Sequence, residues 1–144
     1  GEVVGINSAK VAVSGVEGIG FAIPINTAKP ILQELAERGR VARPYLGASL
    51  MDQEIANRYG FEINLHGGIF LVKVVPGSPA AKADIRPGDI ILSFNGNKVK
   101  TALDLRTALS KCKVGDRAEV TIMRNGQRES RTVVLEEVPK DYGN

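Results

Sequence analysis

Gly77-Ser78-Pro79-Ala80-Ala81-Lys82-Ala83-Asp84-Ile85-Arg86-Pro87-Gly88-Asp89-Ile90-Ile91-Leu92-Ser93-Phe94-Asn95-Gly96 is the stretch from which the fold is read. Pro76-Gly77 turns the chain. Ser78 then caps a short helix, with Pro79 at the favoured first position and Ala80, Ala81 and Ala83 behind it. Arg86-Pro87-Gly88-Asp89 makes a second turn and feeds an apolar strand, Ile90–Phe94. Asn95-Gly96 is a strong hairpin dipeptide, because both residues accept positive φ.

Reading outward from this stretch extends the alternation of short strands and short helices. Ile69–Val75 is too short for a typical helix and rich in β-branched residues, so it reads as a strand, entered from a loop containing His66-Gly67-Gly68. Asp52 caps a short helix through Ile55, Ala56 and Tyr59, ended by Gly60. Downstream, Thr101 and Asp104 form a capping box for a helix from Ala102 to Lys111, which carries Ala102, Leu105, Ala108 and Leu109 on one face. Gly115-Asp116 turns into a strand over 117–124, where Ala118, Val120 and Ile122 alternate with polar residues; Asn125-Gly126 is a second hairpin turn, and 128–135 returns. Leu92, Val120 and Ile122 are expected in the core.

Upstream lies Arg43-Pro44-Tyr45-Leu46-Gly47-Ala48-Ser49-Leu50, a tight loop opening into a strand over 46–51. Gly47 lets the backbone turn so that neighbouring N–H groups point into one space, an arrangement that captures anions such as a peptide's terminal carboxylate. The run resembles the carboxylate-binding loop of PDZ domains, in the Tyr-Leu-Gly form of HtrA/Deg-type proteases, and residues 77–96 are highly similar to the body of bacterial PDZ domains. One departure is Asp84, where the family usually has Gly ending the short helix in the left-handed conformation. A locally strained or altered helix end is expected there.

Residues 1–39 need a partner to bury a core. Glu2–Ile6 reads as a buried strand, 7–18 as a polar hairpin or loop, and Ile19–Ile23 as a second strand stopped by Pro24. Asn26 is expected to cap a helix over 27–38, with Pro30 in its first turn, an apolar stripe of Ile31, Leu32 and Leu35, and Gly39 ending it. This pattern resembles the end of the chymotrypsin-like protease domain of the HtrA/Deg family. The resemblance implies that the nucleophile motif lies just before the equivalent of Gly1 and the catalytic His and Asp farther upstream. It therefore leaves this chain with no catalytic residue, and a casein-type cleavage assay is expected to be negative.

Composition narrows the remaining classes. A hydrophobic fraction of 43% with 24% charged residues is ordinary for a globular protein, and no run of 18 apolar residues encodes a membrane span. The N-terminus has no basic n-region or cleavage pattern, so no signal peptide is expected, and it starts abruptly, as though cut from a longer protein. One Cys and one His make a zinc site or disulfide framework implausible, and no metal or cofactor is expected. The net charge of +3 divides into −1 over residues 1–39 and +4 beyond, but the Lys and Arg residues are scattered with almost no aromatic interleaving, against nucleic-acid binding. His66 reads as a solvated loop residue rather than a general base, Ser8, Ser14 and Ser49 lack nucleophile-elbow context, and Cys112 reads as a packing residue.

The reading is an α+β, mainly β protein. A PDZ-like, partly open barrel or sandwich with two to three helices spans 45–138. It is preceded by a protease-domain remnant over 1–39 and a linker over 40–44, and followed by a frayed tail over 139–144. An extended peptide would add a strand antiparallel to the edge near Ser49, Leu50 and Met51. Its carboxylate would meet the loop of Arg43, Tyr45, Leu46, Gly47 and Ala48, and its last side chain would sit among Leu46, Leu50, Leu105 and Leu109, with Ala108 on the same helix face completing the groove. The resemblance implies capture of C-termini or unfolded segments for an endopeptidase of protein quality control in the bacterial periplasm or envelope. A stand-alone PDZ adaptor, and a fragment in which residues 1–39 drive homo-oligomers, are the alternatives.

Overall fold

The computed structural model describes residues 1–10 and 20–139 of the chain. These separate into two compact units, divided between Val41 and Ala42.

The first unit is a two-stranded antiparallel hairpin followed by a helix. β1 (Gly5–Lys10) pairs with β2 (Gly20–Pro24), with an irregularity between Asn7 and Ala9. The first strand therefore starts three residues later than expected and takes in Asn7–Lys10, which the polarity of the run had suggested as loop. Expected loop residues 11–18, Ser14 among them, lie outside the described residues. α1 covers Ile25–Arg38 and starts two residues before the expected position, with Pro24 and not Asn26 as its N-cap. The reason is local: the Ile25 N–H donates to the Val4 carbonyl at 3.0 Å, so the hairpin itself starts the helix. Pro30 consequently falls inside the helix rather than in its first turn. Gly39, at φ +68°, ends it as expected, its N–H donating to Leu35 O. The expected buried strand is not buried: Val3, Val4 and Ile6 are exposed, as are Phe21, Ile23, Ile31, Leu32 and Leu35, and Ala28 is the buried residue of α1.

The second unit is mainly β. Its elements in order are β3 (Pro44–Tyr45), β4 (Ala48–Met51), α2 (Gln53–Arg58), β5 (Ile69–Val74), α3 (Pro79–Lys82), β6 (Ile90–Phe94), β7 (Asn97–Lys98), α4 (Ala102–Ser110), β8 (Arg117–Arg124), β9 (Gln127–Val134) and β10 (Glu136–Glu137). The main sheet runs β4-β5-β6-β8-β9, all antiparallel, with β7 paired to β6. β3 and β10 form a separate two-stranded ladder, so the sheets stay open. The short alanine helix and both Asn-Gly turns fall where the turn chemistry puts them. Ser78 Oγ caps α3 by accepting from Ala81 N, and Asn95 and Asn125 take φ of 48° and 51°.

One apolar cluster fills the unit, with Ile69, Leu71, Ile85, Ile91, Phe94, Leu105, Val120, Ile122, Val133 and Leu135 among its members. Val120 and Ile122 take the core positions expected of them, while Leu92 is only half-buried because its strand irregularity between Ile91 and Ser93 turns it from the centre. Asp84 does take the left-handed conformation, at φ +56°. Its carboxylate receives Arg86 Nε at 2.8 Å and Arg124 Nη1 at 3.2 Å, and Arg131 lies 3.6 Å away. Arg124 is itself held by the buried Asp89 through two bonds of 2.8 Å. Asp84 thus stands at the centre of three guanidinium groups, which offset the cost of a non-glycine residue there.

Candidate functional site: an open strand edge and its amide loop

β4 is a terminal strand of the main sheet, with β5 on one side and no strand on the other among the described residues. The strand is shorter than the sequence suggested, since Leu46 and Gly47 belong to the loop that enters it rather than to its start. Gly47 has φ +80°, and a Cβ there would lie 2.2 Å from Ser78 Cβ and 3.2 Å from the Tyr45 ring. No side chain fits, so the Gly is required by close approach as well as by backbone conformation.

The loop's carbonyls and amides are used differently. Leu46 O accepts from Ala80 N at 3.0 Å, and Gly47 O accepts from Val75 N at 2.8 Å and from Ser78 Oγ at 3.3 Å. Three bonds thereby fasten the loop to α3 and the turn before it. Neither the Leu46 N–H nor the Gly47 N–H donates to a partner among the described residues. Arg43 is exposed and its carbonyl accepts from Val138 N at 3.0 Å, while Tyr45 is half-buried and pairs with Glu136.

The apolar positions singled out from the sequence divide into two groups. Leu46 and Leu105 are 4% and 1% exposed and belong to the core cluster, and Met51 is also buried. Ala48, Leu50, Ala108 and Leu109 pack against that cluster while remaining half-buried. The accessible lining therefore comes from the second group, with Leu46 and Leu105 beneath it. Ser49 is exposed and stands opposite Lys73 across the β4–β5 ladder.

Asp52 does more than its N-cap reading implied. Its buried carboxylate accepts from Ile55 N at 3.0 Å with Oδ1 and from Ala102 N at 3.3 Å with Oδ2. One side chain thus caps α2 and ties the end of β4 to the first residue of α4. Asp104 meanwhile completes the capping box of α4 with Thr101, and backbone donors from Lys100 and Thr101 hold its carboxyl below the ordinary value. The Asp52 strap joins residues 50 positions apart, and local sequence carries no signal for it.

His66 is exposed in a turn at φ +50°, and Ser8 is an exposed hairpin residue whose hydroxyl donates to Phe21 O. Cys112 is half-buried, and burial pushes its thiol pKa up, with Asp116 adding to the effect. Among the described residues no group of three or more His, Cys, Asp or Glu side chains is gathered as a metal site, and no helix is long and apolar enough to cross a membrane.

A family model described as PDZ domain matches residues 44–135. The chain belongs to the PDZ domain family. Beyond the PDZ domain itself, the similarity extends over nearly the whole chain. It is 41% identical over 145 residues to the serine protease Do-like HtrA of Bacillus subtilis, an alignment covering 95% of this chain and 32% of that protein. It is 35% identical over 137 residues to the periplasmic pH-dependent serine endoprotease DegQ of Escherichia coli, covering 94% of this chain and 30% of the relative. The chain thus spans about a third of the length of these relatives. Among solved structures, an HtrA-type protease AlgW with decapeptide superposes with a TM-score of 0.76 at 30% identity, covering 95% of this chain and 42% of that one. The serine endoprotease from Yersinia pestis gives 0.74 at 32% identity, covering 96% and 44%. Fold and relatives agree with the PDZ and HtrA/Deg resemblance drawn from residues 1–39 and 77–96.

Proposed function

We propose that this chain is the peptide-binding part of an HtrA/Deg-type serine endopeptidase, capturing C-termini of unfolded or regulatory polypeptides by strand addition. On this reading residues 45–138 form the binding domain, 1–39 the end of the protease domain, 40–44 the linker and 139–144 a tail. The observation that carries it is the asymmetry at Leu46-Gly47: both carbonyls are taken, while both amides remain available beside an open strand edge. A terminal carboxylate bonds to the amides of Leu46, Gly47 and Ala48, and the peptide backbone pairs antiparallel with β4. Its last side chain lies against Ala48, Leu50, Ala108 and Leu109, with Arg43 adding positive charge at the loop.

The expected strength follows from the parts. Burying one Leu-sized side chain contributes roughly 1.5–3 kcal/mol and each charge-assisted hydrogen bond about 1.5–3 kcal/mol, while ordering a flexible peptide offsets much of this. Micromolar binding of peptides with apolar C-termini is the expected result. Titration of a short peptide ending in Val against its C-terminally amidated form tests the reading. The free acid should bind at least about tenfold more tightly, since one such bond is of the order of a tenfold change; equal affinities would remove the amide loop from the mechanism. The periplasmic name of the Escherichia coli relative supports an envelope location. The exposed Ile31, Leu32 and Leu35 favour one further reading, association of copies through residues 1–39.

A further inference from the structure

The register of the β4–β5 ladder fixes which side chains an added strand would meet on each face. Ala48 stands opposite Val74 and Leu50 opposite Leu71, and these four are core or packed on the core. Ser49 stands opposite Lys73, and both are exposed, so this pair lies on the other face of the sheet. Side chains alternate along a strand, and directly opposed residues of neighbouring strands share a face. If the last side chain of a bound peptide turns toward Ala48 and Leu50, the one before it must turn toward Ser49.

Three features converge at that outer position. Ser49 is small, so it does not screen the added strand from the one beyond it. Lys73 sits in the next row, two inter-strand spacings from the peptide, about 9–10 Å from backbone to backbone. A lysine and an acidic side chain span that gap together, passing over the serine. Lys73 also has no ion pair among the described residues, and the bulge beside it leaves Val72 exposed rather than an acidic neighbour. Its charge is uncommitted.

We infer that Lys73 is a specificity-determining residue, selecting peptides whose penultimate residue is Asp or Glu. The inference rests on the strand-addition reading and sharpens it. The pair is solvent-facing, so the preference is modest and falls with salt.

The test uses the whole chain and three fluorescent peptides that differ only at the penultimate position, as Glu, Gln or Lys, each ending in Val with a free carboxylate. At low ionic strength the Glu peptide should bind roughly two- to fivefold more tightly than the Gln peptide, and the Lys peptide more weakly than either. Lys73→Gln should abolish the Glu-over-Gln ratio and Lys73→Glu should invert the order, while the Gln peptide keeps its affinity. An unchanged Glu-to-Lys ratio in Lys73→Glu, with all three peptides still bound, would overturn the role of Lys73 alone. Failure of every peptide to bind the parent chain would overturn the strand-addition reading and this inference with it.

Discussion

Asp84 shows what one residue's identity does and does not reveal. The sequence marks it as the odd residue in a turn where glycine is usual, and the left-handed φ of +56° follows. What makes it tolerable was not readable, because Arg124 lies 40 positions downstream and reaches it from β8. The hydrogen bond from Arg86, then that from Arg124, holds the Asp84 carboxyl below its ordinary value of 3.8. A carboxylate with a depressed folded-state pKa contributes stability that is fully present above the unfolded value and is lost as pH falls through the folded one. Asp84→Asn retains tolerance for left-handed backbone and removes the titration. Thermal midpoints followed by circular dichroism from roughly pH 4 down to pH 2 should fall less steeply in this variant than in the parent. Asp104, also depressed, keeps some acid sensitivity in both. Parallel curves would mean that the guanidinium cluster is not what holds this turn. Gly68 marks a similar limit of legibility: in sequence it is one of two loop glycines, yet a Cβ there would lie 2.4 Å from the Ile91 carbonyl, a constraint set by a strand more than twenty residues away.

At the scale of elements, strands and helices with strong local chemistry were legible and their ends were not. Thr101 and Asp104 announce α4, Asn125-Gly126 announces the β8–β9 hairpin, and Ser78-Pro79 announces α3. The misplaced start of α1 comes from a single bond, Ile25 N–H to Val4 O, and the extent of β1 from its pairing with β2; both join positions that no local pattern links. The Asp52 strap between β4 and α4 is of the same kind, and it bears on function because those two elements flank the proposed peptide site. Asp52→Ala leaves Ile55 N and Ala102 N without their acceptor and should cost about 1–2 kcal/mol in urea unfolding. Loss of a cap alone would lower stability and leave binding intact, so Asp104→Ala is the matched control: it removes the exposed capping box of the same helix but leaves the strap. Both variants should unfold at lower urea, and only Asp52→Ala should weaken peptide binding as well, by severalfold. Equal affinities in the two variants would reduce Asp52 to an ordinary N-cap.

For the molecule as a whole, the distribution of apolar burial separates the two units more sharply than the sequence did. Every member of the core cluster lies between Leu46 and Leu135, whereas the described residues of 1–38 bury Ala28 and leave eight large apolar side chains at 40% exposure or more. That residues 1–39 would leave apolar surface uncovered was legible, since two strands and one helix cannot enclose a core; which residues would stay open was not, because the bounds of β1 were misplaced. A protein beginning at Ala42 retains the whole cluster and both ladders of the second unit. It should therefore unfold in a single cooperative urea transition with the midpoint of the full chain's main transition, and bind the Val-terminated peptide with the same affinity. The exposed surface of Val3, Val4, Ile6, Phe21, Ile23, Ile31, Leu32 and Leu35 is the kind that promotes association. Light scattering should accordingly give a monomer for the shortened protein and a larger, concentration-dependent mass for the full chain. A shortened protein that unfolds without cooperativity, or a full chain that stays monomeric at every concentration, would show that stability and association are not divided between the units in this way.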